Sequence, residues 1–173
     1  MPEKITLALT LILALMTPAI AQPKLVKTSW EEVHRTIADM SKQIDPAKVD
    51  VLLGVAVGGM VPAALFSRQL DNKNILTISL SSYTSNQEQR DIFLRNRPAK
   101  GYLEGKNVLI IDDILDSGAT VGAVKKLLIE EYNVKSVQIA AVFLNSDHCQ
   151  FYPDYWGIET TNWIVFPWEK FEE

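Results

Sequence analysis

Residues 108–123 read VLIIDDILDSGATVGA, an apolar run that ends in two adjacent acids, Asp112 and Asp113, with a third, Asp116, close behind. Ser117, Gly118, Ala119 and Thr120 follow and lead into a helical pattern. A strand-to-helix turn of this kind exposes backbone N–H groups at the positive end of a helix dipole. Gly118 admits a close approach, so the turn suits an anion such as a phosphate. The hydroxyls of Ser117 and Thr120 add donors. Carboxylates beside a phosphate would repel it unless they have other work. Three tasks suit them: accepting hydrogen bonds from sugar hydroxyls, holding Mg²⁺ through oxygen, or moving a proton. Phosphate, sugar, metal and proton acceptor together describe an activated sugar phosphate. The loop lacks the Gly-Lys-Ser/Thr ending of a P-loop.

The elements that must position this stretch alternate between strand and helix. NVLIIDD, residues 107–113, is a strand, and ATVGAVKKLLIEEY, residues 119–132, an amphipathic helix. VDVLLGVAV, residues 49–57, is a mostly apolar run, the pattern of a strand buried on both faces. Gly58-Gly59 breaks it, and MVPAALFSRQL, residues 60–70, reads as a helix with proline in its first turn. NILTISL (74–80) and SVQIAAVFLN (136–145) are two more strands. Upstream, Ser29 and Glu32 have capping-box spacing, and Trp30, Val33, Ile37, Met40 and Ile44 recur at helical intervals. Residues 81–105 are polar and without clear period, a long loop with at most a weak hairpin. The alternation predicts an α/β fold: a mainly parallel sheet flanked by helices, with ligands at the carboxyl ends of its strands. The aromatic tail, DYWGIETTNWIVFPWEKFEE, is too short for another βα unit and predicts a small C-terminal flap or hood within residues 150–173.

The bulk numbers agree with one domain. The chain has 173 residues, 47% of them hydrophobic and 22% charged, and a net charge of −4. That charge gives no general attraction to nucleic acid, and no basic patch or helix-turn-helix is visible. The single cysteine, Cys149, excludes an internal disulfide and a Cys-based zinc site. His34 and His148 are isolated and read as having no part in chemistry. The first 22 residues have the layout of a cleaved signal, with an apolar run from Ile5 to Met16 and an Ala19-Ile20-Ala21 site. The run is too short for a stable membrane span. Translation starting at Met16, or a buried helix or short anchor, is the alternative, and on any of these readings the domain is taken as residues 23–173.

VLIIDDILDSGAT resembles the signature of the type I phosphoribosyltransferases, which use 5-phosphoribosyl-1-pyrophosphate (PRPP). VAVGGMVPAALFSRQL resembles that family's pyrophosphate loop and helix, SSYTSNQEQR the start of its mobile loop, and DYWGIETTNWIVFPWE the hood of its purine salvage members, especially the xanthine–guanine type. The resemblance implies Mg²⁺-dependent transfer of the 5-phosphoribosyl group from PRPP to guanine, xanthine or hypoxanthine. Asp112 and Asp113 would bind the ribose hydroxyls, Asp113 also through Mg²⁺, and Asp116 would exchange a proton with the purine ring nitrogen. Ser117, Gly118, Ala119 and Thr120 would grip the 5′-phosphate, and Gly58 and Gly59 the pyrophosphate. Ser82 and Tyr83 would close over the reacting centre, with Arg90 on the pyrophosphate. Trp163 would stack on the base while the Ile164 backbone reads its edge. It also implies a homodimer or homotetramer. A cytoplasmic location is favoured, since PRPP is made there; export follows instead if residues 1–21 are a cleaved signal.

Two positions depart from the family. Val57 stands where purine members carry Lys or Arg before the Gly-Gly pair. Asn145 stands where they carry a lysine for the purine's exocyclic oxygen; its amide can donate there but brings no charge. A non-catalytic member that binds PRPP or a nucleotide is the alternative these departures raise.

Overall fold

The computed structural model describes residues 24–83, 91–99 and 101–169. Among the described residues there are eight strands: β1 (Leu25–Lys27), β2 (Val51–Val55), β3 (Ile75–Tyr83), β4 (Asp91–Asn96), β5 (Asn107–Leu115), β6 (Ser136–Asn145), β7 (Tyr155–Thr160) and β8 (Trp163–Val165). The helices are α1 (Trp30–Ser41), α2 (Met60–Leu70) and α3 (Ala119–Glu131). The main sheet has the order β4-β3-β2-β5-β6-β7, parallel except for the antiparallel β3–β4 pair.

Continuous apolar runs mark β2 and β5 because both of their faces are covered. Every residue of β2 is buried. In β5, Leu109 and Ile111 pack with α1 and α2, while Val108 and Ile110 pack with α3 on the opposite face. That period of two runs on toward the acids that end the strand. Ser29 caps α1 by accepting the Glu32 N–H at 3.1 Å. The second arm of the capping box is different from the expected one: Glu32 Oε2 accepts the Thr28 hydroxyl at 2.6 Å.

The ends of the chain depart most from expectation. In the segment after residue 80, expected as a long loop with at most a weak hairpin, the described residues include an antiparallel pair: β3 runs to Tyr83 and pairs with β4, with a register shift between Ser79 and Leu80. The tail divides in two. β7 joins the main sheet parallel to β6, with no helix between them. A Cβ at Gly157 would overlap Thr36, so that glycine lets α1 lie against the added strand. β8 instead pairs in parallel with β1, Leu25 opposite Trp163 and Lys27 opposite Val165. The hood is therefore built from both ends of the chain. The signal-like segment, Arg90 and residues 170–173 lie outside the described residues. Among the described residues no helix is long and apolar enough to cross a membrane.

Candidate active site

The chain leaves β2 for β3 on one side and later places β5 on the other, so the carboxyl ends of β2 and β5 form a crevice at a topological switch. Gly54 pairs with Ile111 across it. The two turns expected to carry the chemistry, residues 56–59 and 116–120, rise from these neighbouring strand ends.

The first turn is packed directly onto the second strand. The Ala56–Val57 peptide is cis. Gly59 N–H donates to Val55 O at 2.8 Å, so that group is held inside the turn rather than offered to the crevice. A Cβ at Gly59 would overlap Ile111 O, and one at Gly58 would overlap the Asp113 carboxylate. Val57 is 79% exposed. Val57, Gly58 and Asp113 form one wall of a cleft of about 530 Å³, with Leu25, Trp163 and Glu169 on the hood side.

Asp112 and Asp113 are each steadied by the following backbone N–H: Asp113 N donates to Asp112 Oδ1 at 3.0 Å and Ile114 N to Asp113 Oδ1 at 2.7 Å. Burial, then the charge of Asp113, pushes the Asp112 carboxyl well above the usual carboxylate range. Burial also raises Asp113, with the Glu169 charge adding to it and the Ile114 N–H working against it. Burial and the charges beside them thus penalise the ionised form of both acids.

Asp112 lies by a second, smaller pocket of about 110 Å³, completed by Asp116, Ser117, Gly118, Ala119 and Thr120. Gly118 caps α3 with φ 77°, a conformation that favours glycine, and its Cα faces the Phe151 ring. Ser117 Oγ accepts the Ala119 N–H at 3.3 Å. The fold thus gathers Ser117 to Thr120 around one pocket with Asp112 and Asp116.

Asp116 stands at the rim of this pocket. Its Oδ1 accepts from Asn145 Nδ2 at 2.8 Å, and His148 Nδ1 lies 3.0 Å from the same oxygen. Asn145, expected to face the base, is buried at the end of β6 and turned toward Asp116. His148, expected to be inert, touches the central acid. Its only sequence signal was its place just past a strand end. Trp163 is 65% exposed on the cleft, while Ile164 is buried in the core behind it. Ser82 and Tyr83 end β3, opposite Ile92 and Asp91.

Among the described residues, no group of three or more His, Cys, Asp or Glu forms a metal cage. Mg²⁺ bound together with substrate phosphates needs only one or two carboxylates, so Asp113 on the cleft wall fits such an ion.

The phosphoribosyl transferase domain family matches residues 28–170. A xanthine-guanine phosphoribosyltransferase of Nitratidesulfovibrio vulgaris is 30% identical over 157 residues, covering 90% of this chain and 91% of its own. The crystal structure of a purine phosphoribosyltransferase from Pyrococcus horikoshii superposes with a TM-score of 0.77 at 31% identity, covering 87% of this chain and 97% of its own. A xanthine-guanine-hypoxanthine phosphoribosyltransferase of Helicobacter pylori gives a TM-score of 0.72 at 26% identity, over 84% and 94% of the two chains. The chain belongs to the phosphoribosyltransferase family, as a type I enzyme of the glycosyltransferase class. Within that family it falls in the purine salvage branch, beside these relatives.

Proposed function

We propose that the protein transfers the 5-phosphoribosyl group of PRPP to guanine, xanthine or hypoxanthine in the presence of Mg²⁺, yielding the nucleoside 5′-monophosphate and pyrophosphate. The observation that carries this is the joint placement of the Asp112–Thr120 pocket and the Trp163-roofed cleft at the ends of β5 and β2. The relatives named for these purines support it.

In this reading Ser117 to Thr120 hold the 5′-phosphate through backbone N–H groups and hydroxyls. Asp112 and Asp113 accept hydrogen bonds from the ribose. Mg²⁺, when bound, supplies charge stabilisation to the departing pyrophosphate. Trp163 offers an exposed aromatic face for the base. Asp116 takes the proton from the purine ring nitrogen: the N–H bond breaks and an O–H bond forms. The freed electron pair then makes the bond to the anomeric carbon as its bond to pyrophosphate breaks. Ser82, Tyr83 and Arg90 belong to the segment that would cover the reactants and exclude water.

Incubating purified protein with PRPP, Mg²⁺ and each purine, then measuring the nucleotide formed, tests the proposal. Binding of PRPP without product from any purine overturns it. That outcome is the one a non-catalytic member gives, a reading raised by the exposed, uncharged Val57 on the cleft wall and by Asn145, which stands in place of a lysine.

A further inference from the structure

The turn after β6 folds back on the strand that precedes it. His148 N–H and Cys149 N–H both donate to Asn145 O, at 3.3 and 2.9 Å. This carries the imidazole across to the β5–α3 turn, where Nδ1 stops 3.0 Å from Asp116 Oδ1. An ionised carboxylate only accepts, so this contact requires the hydrogen on Nδ1. Asn145 approaches the same oxygen from β6, with Nδ2 at 2.8 Å. Its orientation is set by the other end of the amide, where Oδ1 accepts the Asp147 N–H at 3.3 Å. With Nδ1 protonated, the 3.2 Å approach of Asn145 Nδ2 to His148 is packing between two donors.

Both donors converge on Oδ1. The Asp116 side chain is 59% exposed, and a carboxylate on a solvated turn has free rotation unless something holds it. Asn145 is anchored in the core at 7% exposure and brings one donor; His148 brings the second from the solvent side. We propose that His148 is a positioning residue for Asp116, fixing Oδ1 through Nδ1–H so that Oδ2 is presented to the acceptor base. The proposal rests on Asp116 being the proton acceptor in phosphoribosyl transfer.

The test compares wild type with His148→Ala and His148→Asn, whose amide nitrogen sits near the place of Nδ1. The alanine variant is expected to lose about 10-fold in kcat with KM for PRPP held within about two-fold, and the asparagine variant to recover most of the loss. An unchanged kcat in His148→Ala overturns the proposal, as does a PRPP KM that moves as far as kcat. A second measurement is independent of turnover: long-range ¹H–¹⁵N NMR of the two histidines in the chain. His148 is expected as the Nδ1–H tautomer in wild type and as Nε2–H in Asp116→Ala, with His34 unchanged as the internal reference. Nε2–H in both proteins overturns the contact. A wild type that turns over no purine sinks the functional reading instead, and the NMR comparison still decides whether His148 holds Asp116.

Discussion

Asp112 and Asp113 are consecutive in the chain yet serve different cavities. The strand period that sends Ile110 toward α3 and Ile111 toward α2 continues through them. Asp112 therefore lines the pocket under α3, and Asp113 the cleft beside Gly58. One strand end thus presents an acid to each side of the crevice, and this explains a doubled aspartate better than redundancy does.

The pair also fixes a pH dependence. Both carboxyls are raised above their ordinary value in the fold, Asp112 strongly. A raised group favours folding while protonated, and its contribution is lost as pH climbs through the raised value. Asp113→Asn keeps an acceptor for Ile114 N–H, removes one charge and relieves the neighbour. Without ligand, its melting temperature should gain on wild type as pH rises from about 4 to about 8. Phosphoribosyl transfer by the same variant should fall sharply. A wild type more stable than the variant at the upper pH contradicts the stated cause.

Gly58 makes a sharper steric case, because the space a Cβ would need is held by the Asp113 carboxylate. Gly58→Ala should cost about 1–3 kcal/mol by overpacking and weaken PRPP binding. In an Asp113→Ala background most of that stability cost should vanish, a coupling of about 1 kcal/mol or more in a denaturation cycle. Additive costs would mean that the turn is strained for another reason.

Much of this was legible beforehand, and the reasons are physical. β2, β5 and β6 announce themselves because strands covered on both faces are continuously apolar. The Asp112–Thr120 turn is local, so its residue types and order suffice. β1 is not legible: its three residues are all exposed, and they form a strand only by pairing with β8 at the far end of the chain. β7 was hidden for a related reason. Joining the sheet without an intervening helix removes the alternation that identifies parallel strands. His148 was missed because an isolated histidine gains meaning only when parallel pairing of β5 with β6 brings Asn145 and its turn beside Asp116.

Asp116 itself separates binding from chemistry. Asp116→Asn retains an acceptor at the side-chain carbonyl and keeps the shape of the pocket, but it cannot take up the ring proton as a carboxylate does. Turnover should drop by about 10²-fold or more, while PRPP affinity measured by calorimetry changes little. Parallel loss of affinity and turnover would mean that Asp116 holds the donor substrate rather than serving the base.

Val57 offers a gain rather than a loss. Its side chain is 79% exposed and stands on the cleft wall next to Gly58 and Asp113, so replacing it removes no core contact. A lysine there would meet a pyrophosphate in a cleft whose charged lining residues, among those described, are the carboxylates Asp113 and Glu169. A hydrogen bond to a charged group contributes about 1.5–3 kcal/mol, so Val57→Lys should tighten PRPP binding by about 10-fold or more at low salt. Screening should erode the gain as ionic strength rises, because the new charge is exposed. Melting temperature should stay near that of wild type. Unchanged PRPP affinity at low salt would place the pyrophosphate elsewhere than beside the 56–59 turn.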